Sequence, residues 1–175
     1  MRTVVIYKSK SGFTERYGEW IAGELGCDAM EAKNVSEKVI GKYDIVVYGG
    51  GIYAGQISGL KKMKKMMLQM RDKKFIVFAT GATPAAVTDK INEILRANFT
   101  EEEQKNSPFY YFQSGLDYSK MSLPGRLLMK AFSAALEKQG DKSRMESDMS
   151  VSSKESYDIS DRKFIEPLIR YVNSL

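Results

Sequence analysis

"YKSKSGFT", Tyr7 to Thr14, begins where the apolar run Thr3–Tyr7 ends. Between Ser9 and Thr14, three hydroxyls (Ser9, Ser11 and Thr14) surround one glycine, Gly12. An ordinary turn asks for about one or two such residues, and a helix N-cap for about one hydroxyl. This loop carries more donors than either role needs. It also opens a helix, so free N–H groups and the positive end of the helix dipole face it. Hydroxyls add donors without fixed charge. The stretch therefore reads as a phosphate-binding loop rather than as a cap alone.

Working outward, Arg2–Lys8 is a near-continuous apolar run, the mark of a strand buried on both faces. Gly12–Leu25 follows as a helix, with Phe13, Tyr17, Trp20, Ile21 and Leu25 spaced for one face and Gly26 ending it. Asp28–Ala32 is a weak second strand. Tyr43–Tyr48 is the third, running into Gly49–Gly51 and a helix from Ser58 to Arg71. Lys74–Ala79 is the fourth strand, followed by the loop "TGATP" and a helix over Ala85–Phe99. Pro108–Gln113 is the fifth. A helix over Pro124–Lys138, a polar stretch from Gly140 to Ser156 and a helix over Asp161–Asn173 complete the chain, with Pro167 kinking that last helix or delaying its start.

Strand and helix alternate throughout, which predicts an α/β fold: a parallel sheet covered by helices on both faces. No repeat or linker divides the 175 residues, so one domain, 1–175, is expected. In such sheets ligands bind beyond the carboxyl ends of the strands. The loops to inspect are Ser9–Thr14, Gly49–Gly55 and Thr80–Pro84. All are rich in small residues, which let a flat or phosphorylated ligand approach backbone.

Composition narrows the chemistry. The chain has no histidine and a single cysteine, Cys27. Ser-His-Asp and Cys-His nucleophile systems are therefore excluded, as are an intrachain disulfide and a cysteine-based zinc site. Catalysis would come from carboxylates, Lys, Tyr or a bound cofactor. Cys27 reads as a buried structural thiol. The formal net charge of +5 favours an anionic ligand or surface. There is no recognition motif and no dense basic tract mixed with aromatics, so no nucleic-acid partner is expected. No run approaches 18 apolar residues and no signal-peptide pattern opens the chain, so a cytoplasmic location is expected.

The pattern G-x-x-x-x-G-K-[ST] is absent. A loose G-x-G-x-x-A at Gly49–Ala54 follows the wrong strand for a dinucleotide fold and has no matching ribose-binding acid, so it reads as chance. The arrangement resembles flavodoxins instead. Their phosphate loop reads [S/T]-x-[S/T]-G-x-T, and Ser9-Lys10-Ser11-Gly12-Phe13-Thr14 matches each specified position. "GGGIYAG" supplies the glycine and aromatic of the second loop, and "TGATP" occupies the third.

The resemblance implies a flavodoxin-like three-layer α/β/α sandwich with a five-stranded parallel sheet of order 2-1-3-4-5. It also implies FMN, bound non-covalently, in an electron-transfer protein or oxidoreductase. The phosphate would lie on Ser9, Lys10, Ser11, Gly12, Phe13 and Thr14. The ring would lie between Gly50, Gly51, Ile52, Tyr53, Ala54 and Gly55 on one side and Thr80, Gly81 and Ala82 on the other. Tyr53 would stack on it, and a peptide at Gly50 or Gly51 would adjust its hydrogen bond to flavin N5.

Typical flavodoxins are acidic, whereas this chain is basic. Its layout is similar to the flavodoxin-type, menaquinone-dependent protoporphyrinogen oxidases, with Gly115-Leu116-Asp117-Tyr118 after the last strand and Leu123–Lys138 as a basic, apolar insert within about 116–150. That implies protoporphyrinogen IX as substrate and a quinone or redox protein as partner, with peripheral contact at the inner face of the membrane. For Leu123–Lys138, core packing stands beside this as an equal reading. Asp117 and Tyr118 read either as ligand contacts or as a turn. The stripe Leu60, Met63, Met66, Met67 and Met70, flanked by lysines, reads as a sheet-covering helix, with an anionic surface as the alternative. A fold of this type used as a scaffold without flavin chemistry remains the competing function.

Overall fold

The computed structural model of the chain describes residues 1–70, 72–120, 126–127 and 156–175. Its strands are β1 (Thr3–Lys8), β2 (Asp28–Glu31), β3 (Ile45–Tyr53), β4 (Gln56–Ile57), β5 (Lys74–Gly81) and β6 (Phe109–Gln113). Its helices are α1 (Phe13–Leu25), α2 (Glu37–Ile40), α3 (Leu60–Met67), α4 (Thr88–Asn98), α5 (Glu101–Asn106) and α6 (Glu166–Asn173). Five strands pair in parallel in the order β2-β1-β3-β5-β6, which is the expected 2-1-3-4-5. β4 pairs antiparallel with the end of β3.

The central strands alternate side chains between two apolar layers, as the period of two requires. Val4, Ile6, Val46, Tyr48, Val77 and Ala79 face one layer, completed by Ile40, Leu60, Met63, Met67 and Phe99 around α2, α3 and α4. Val5, Ile45, Val47, Ile76, Phe78 and Phe112 face the other, completed by Tyr17 and Ile21 of α1 and by Ile165, Leu168 and Val172 at α6. Phe78 stacks on Phe112, with centroids 5.1 Å apart. Two covered faces explain why these strands read as continuous apolar runs.

The structure departs from the sequence reading at several edges. β3 runs on through Gly49–Gly51 to Tyr53 instead of ending at Tyr48. Ladder bonds from both neighbours hold it extended: Gly50 lies opposite Lys8 of β1, and Gly51 opposite Thr80 of β5. Likewise Thr80 and Gly81 are the last residues of β5 rather than loop. The helix expected over Ser58–Arg71 is confined to Leu60–Met67, with Arg71 outside the described residues. Leu60, Met63 and Met67 are buried against the sheet. The helix expected over Ala85–Phe99 begins only at Thr88.

α5 is a separate helix with a capping box, in which Thr100 Oγ1 accepts from Glu103 N–H and Glu103 accepts from Thr100 N–H. α6 starts at Glu166, with Pro167 in its first turn, where proline's missing N–H costs nothing. The delay expected from Pro167 is thus what the chain does. The helix expected over Pro124–Lys138 and the polar stretch after it lie outside the described residues, apart from 126–127 and Ser156.

Candidate functional site

The carboxyl ends of β1, β3 and β5 bring three loops to one edge, and a buried hydroxyl pair locks them together. Thr14 Oγ1 lies 2.7 Å from Thr80 Oγ1, and both residues are almost fully buried. Gly51 sits beside that pair. A Cβ there would lie 3.4 Å from Thr14 Oγ1, 3.4 Å from the Tyr53 ring and 3.9 Å from Thr80 Oγ1. The structure therefore brings Thr14, Gly51, Tyr53 and Thr80 into one cluster.

The first loop is shaped by its own residues. Ser9 Oγ accepts from Gly12 N–H at 3.0 Å. Gly12 adopts φ 94°, which a side chain would strain, and caps α1 without a side-chain bond. Arg16 is the first residue whose N–H reaches back into the helix, to Gly12 C=O at 3.0 Å. The amides of the preceding turn, at Phe13, Thr14 and Glu15, have no acceptor among the described residues, as at any helix start. The Ser9 hydroxyl oxygen is thus turned inward to hold the loop, the Thr14 hydroxyl is paired with Thr80, and the first-turn amides carry the donors without a partner among the described residues. No acid lies between Ser9 and Thr14, and the Glu15 carboxylate accepts from Tyr7 OH at 3.1 Å. This donor set fits a phosphomonoester.

The second loop is a tight hairpin. Ile52 pairs with Ile57 and Tyr53 with Gln56, leaving Ala54 and Gly55 as the two-residue turn, at φ 47° and 76°. Both turn residues at positive φ match the hairpin turn whose twist suits the flanking strands. Tyr53 is 42% exposed. Lys10 Nζ sits 4.4 Å from its ring centroid. Burial pushes the Tyr53 phenol up, with a hydrogen bond from Ser11 pulling it back. Gly50 faces away from this cluster: a Cβ on it would come within 2.6 Å of the Ile57 side chain and 2.7 Å of Ser58 O. Its lack of a side chain serves the packing of the hairpin. Ile52 packs into the layer beside Tyr48 and Ile57.

The third loop is held by neighbours that the sequence reading did not single out. Tyr111 OH donates to Thr83 O at 2.7 Å, and Ala85 N–H donates to Gln113 Oε1 at 2.9 Å. Ser114 N–H reaches Gly81 O at 2.8 Å. Burial pushes the Tyr111 phenol upward, so it remains a donor. Asn98 plays the same part for the hairpin. Its Oδ1 accepts from Ile57 N–H at 2.9 Å, and its Nδ2 donates to Gly55 O at 2.7 Å and Ile94 O at 2.8 Å. The only sequence signal for Asn98, Gln113 and Ser114 was their place at or just past the ends of elements, and Tyr111, inside β6, gave none. Gly81 and Ala82 stand half-buried in the third loop beside these ties.

Among the described residues no group of three acids, histidines or cysteines is arranged to hold a metal. Burial, with Asp28 adding to it, pushes the Cys27 thiol up to about 11, which leaves it an inert thiol. A depression of about 290 Å³ lined by Met1, Thr3, Ile45 and Val172 lies at the amino ends of β1 and β3, the opposite edge from the loops. It has none of their glycine and hydroxyl chemistry.

A model of the flavodoxin domain matches residues 4–143. An uncharacterised protein of Methanocaldococcus jannaschii is 32% identical over 87 residues, which cover 48% of this chain and 57% of that protein. The match therefore spans little more than half of that relative's length. Similar solved structures include Flavodoxin 2 from Bacillus cereus, at 18% identity and a TM-score of 0.40 over 63% of this chain and 84% of that one. A WrbA-like flavodoxin from Agrobacterium tumefaciens is 20% identical, with a TM-score of 0.43 over 71% of this chain and 87% of that one.

Proposed function

The chain belongs to the flavodoxin-domain family, and on that premise we propose that it is a redox protein that holds FMN at the edge where β1, β3 and β5 end. The observation that carries this reading is the Thr14–Thr80 hydroxyl pair with Gly51 beside it. It joins a phosphate-type loop to two strand ends stripped of bulk. Bound FMN supplies the electron chemistry, and the protein supplies binding, orientation and tuning.

Each residue then has a physical task. The first-turn amides of α1 and the hydroxyls of Ser11 and Thr14 hold the phosphate, while Ser9, bonded to Gly12 N–H, keeps the loop in shape. Lys10 and Phe13 flank it. Gly51 leaves room for a flat ring against the Thr14–Thr80 pair. Tyr53, Ala54 and Gly55 form one wall, with the Tyr53 ring as the stacking surface. Thr80, Gly81 and Ala82 form the other. The Tyr53 phenol, raised by burial, stays protonated at neutral pH and acts as a donor, not a base. With no histidine in the chain, no imidazole serves as a general base.

The finer reading is quinone-linked oxidation of protoporphyrinogen IX. Support comes from the basic charge and from Gly115–Tyr118 directly after β6, where a flavin edge would be approached. In this reading the partner is a quinone or redox protein met at the inner face of a membrane. No helix among the described residues is long and apolar enough to cross one.

Titration of the purified protein with FMN, followed by flavin fluorescence and the visible spectrum, tests the first step. Saturable quenching at one FMN per chain is expected. Absence of binding at tens of micromolar would leave the scaffold reading in its place. Protoporphyrinogen IX with menaquinone then tests the finer step, through porphyrin fluorescence that depends on both quinone and FMN. Deleting Met121–Lys138 is expected to abolish that turnover while sparing much of the FMN binding, and loss of both together would make the segment structural.

A further inference from the structure

We propose that Lys120 is a phosphate-recognition residue of the loop Ser9–Thr14, so that preference for a phosphorylated flavin depends on a charge delivered by the segment after β6. This rests on the FMN reading above. Lys120 comes from 109 residues further along the chain, yet its Nζ donates to Ser11 O at 3.2 Å. A Cβ on Gly12 would lie 3.7 Å from the same nitrogen. The ammonium therefore stands over the glycine of the loop, beside the free amides that begin α1.

Its position is built. Leu116 and Tyr157 form an antiparallel bridge, with N–H···O distances of 3.0 and 2.9 Å. Tyr118 N–H donates to Ser156 Oγ at 3.0 Å. Asp117 Oδ1 then accepts from Ser119 N–H at 3.0 Å, from the Ser119 hydroxyl at 2.6 Å and from Lys120 N–H at 3.3 Å. These bonds wind the 3-10 turn Tyr118–Lys120, whose Lys120 side chain reaches the loop just before α1. The acidic Asp117 is thereby accounted for as the organiser of this turn.

The charge of Lys120 is weakly engaged. Asp117 Oδ2 forms an ion pair with Nζ at 3.7 Å, beyond hydrogen-bond length, while Oδ1 accepts from its own turn. The direct partner is a neutral carbonyl, and the loop holds no acid. Lys10, the loop's own cation, lies over the Tyr53 ring. A phosphate on the first-turn amides would offer Lys120 a far stronger acceptor within a short swing. Amides and hydroxyls hold the phosphate by hydrogen bonds, and Lys120 adds a Coulomb contribution that an unphosphorylated flavin cannot use. The side chain is 54% exposed, so screening limits the effect to roughly five- to tenfold in affinity.

The test compares dissociation constants for FMN and riboflavin in the wild type, Lys120→Gln and Lys120→Arg, at low and high salt. Lys120→Gln is expected to weaken FMN about five- to tenfold with riboflavin unchanged and to flatten the salt dependence of FMN binding. Lys120→Arg is expected to restore FMN affinity. Unchanged riboflavin affinity also reports an intact fold in the variant. An FMN-to-riboflavin preference in Lys120→Gln equal to that of the wild type overturns the proposal while leaving the FMN reading standing. A wild type that binds neither flavin overturns the FMN reading itself, and the role of Lys120 with it.

Discussion

Thr14 and Thr80, 66 residues apart in sequence, share one buried hydrogen bond of 2.7 Å, and this bond ties the helix after the first strand to the end of the fourth parallel strand. Replacing one partner strands the other hydroxyl away from water, at about 1–3 kcal/mol. Thr14→Val is therefore expected to destabilise the fold by that order and to weaken FMN binding. Thr14→Val with Thr80→Val removes both polar groups and is expected to regain much of the stability but not the FMN affinity. Urea denaturation and FMN titration of the set decide it: additive stability losses would mean that the hydroxyls do not interact.

Ala54 is the one non-glycine residue at positive φ among the described residues, at 47°. That backbone costs an L-residue about 1–2 kcal/mol, and glycine's greater freedom when unfolded returns about 0.5–1 kcal/mol of the relief. Ala54→Gly is expected to stabilise the hairpin by roughly 0.5–1 kcal/mol. Ala54→Val, β-branched at the same turn, is expected to destabilise. A thermal midpoint that falls in Ala54→Gly would contradict the strain argument.

Gly49 lies under the buried Phe78 ring, and a Cβ on Gly49 would overlap that ring. Phe78 is itself held between Gly49 and Phe112 in a fully buried layer, so it has little room to yield. Gly49→Ala is expected to cost about 1–3 kcal/mol, the range for overpacking. Adding Phe78→Leu is expected to recover part of that loss, although Phe78→Leu alone destabilises. Chemical denaturation of the two single variants and the double variant measures the coupling, and strict additivity would refute the clash.

Burial pushes the Glu103 carboxyl up, but Lys64 Nζ at 2.7 Å and the Thr100 N–H at 2.8 Å more than offset it, leaving the group below its ordinary value. Because the folded state holds this proton less tightly, Glu103 adds stability above its unfolded value near 4.5. That contribution is lost as pH falls from there through the folded value. Glu103→Gln keeps a capping side chain but loses the ion pair. The gap in thermal midpoint between wild type and Glu103→Gln is expected at neutral pH and should close in acid below that range. A gap that persists unchanged at low pH would assign the effect to packing.

The architecture was legible because each level of it is local. Val4–Ile6, Ile45–Tyr48 and Ile76–Ala79 are apolar without alternation, since both faces of those strands are covered. Phe13, Tyr17 and Ile21 recur at helical spacing because α1 turns one side to the sheet. The loop Ser9–Thr14 stood out by composition, because donors around an anion must be carried by particular side chains. The hairpin at Tyr53–Gln56 was missed, since Ala54 gives no turn signal and glycines read as loop. Asn98, Gln113 and Lys120 were missed because a single polar residue at an element's end has no pattern, and Tyr111 because inside β6 it reads as an ordinary strand aromatic.

By itself, then, the sequence determined the alternation of strand and helix and the edge at which a ligand would be met, because burial on two faces and helical periodicity are written in neighbouring residues, whereas the order of the sheet followed only from the resemblance to flavodoxins. Only the tertiary structure decided that Gly49–Tyr53 is strand, that Gly51 rather than Gly50 faces the cluster and that Thr14 meets Thr80. It also brought Lys120 over Gly12. Those outcomes depend on ladder bonds, side-chain facing and contacts between residues tens of positions apart, which no local pattern encodes.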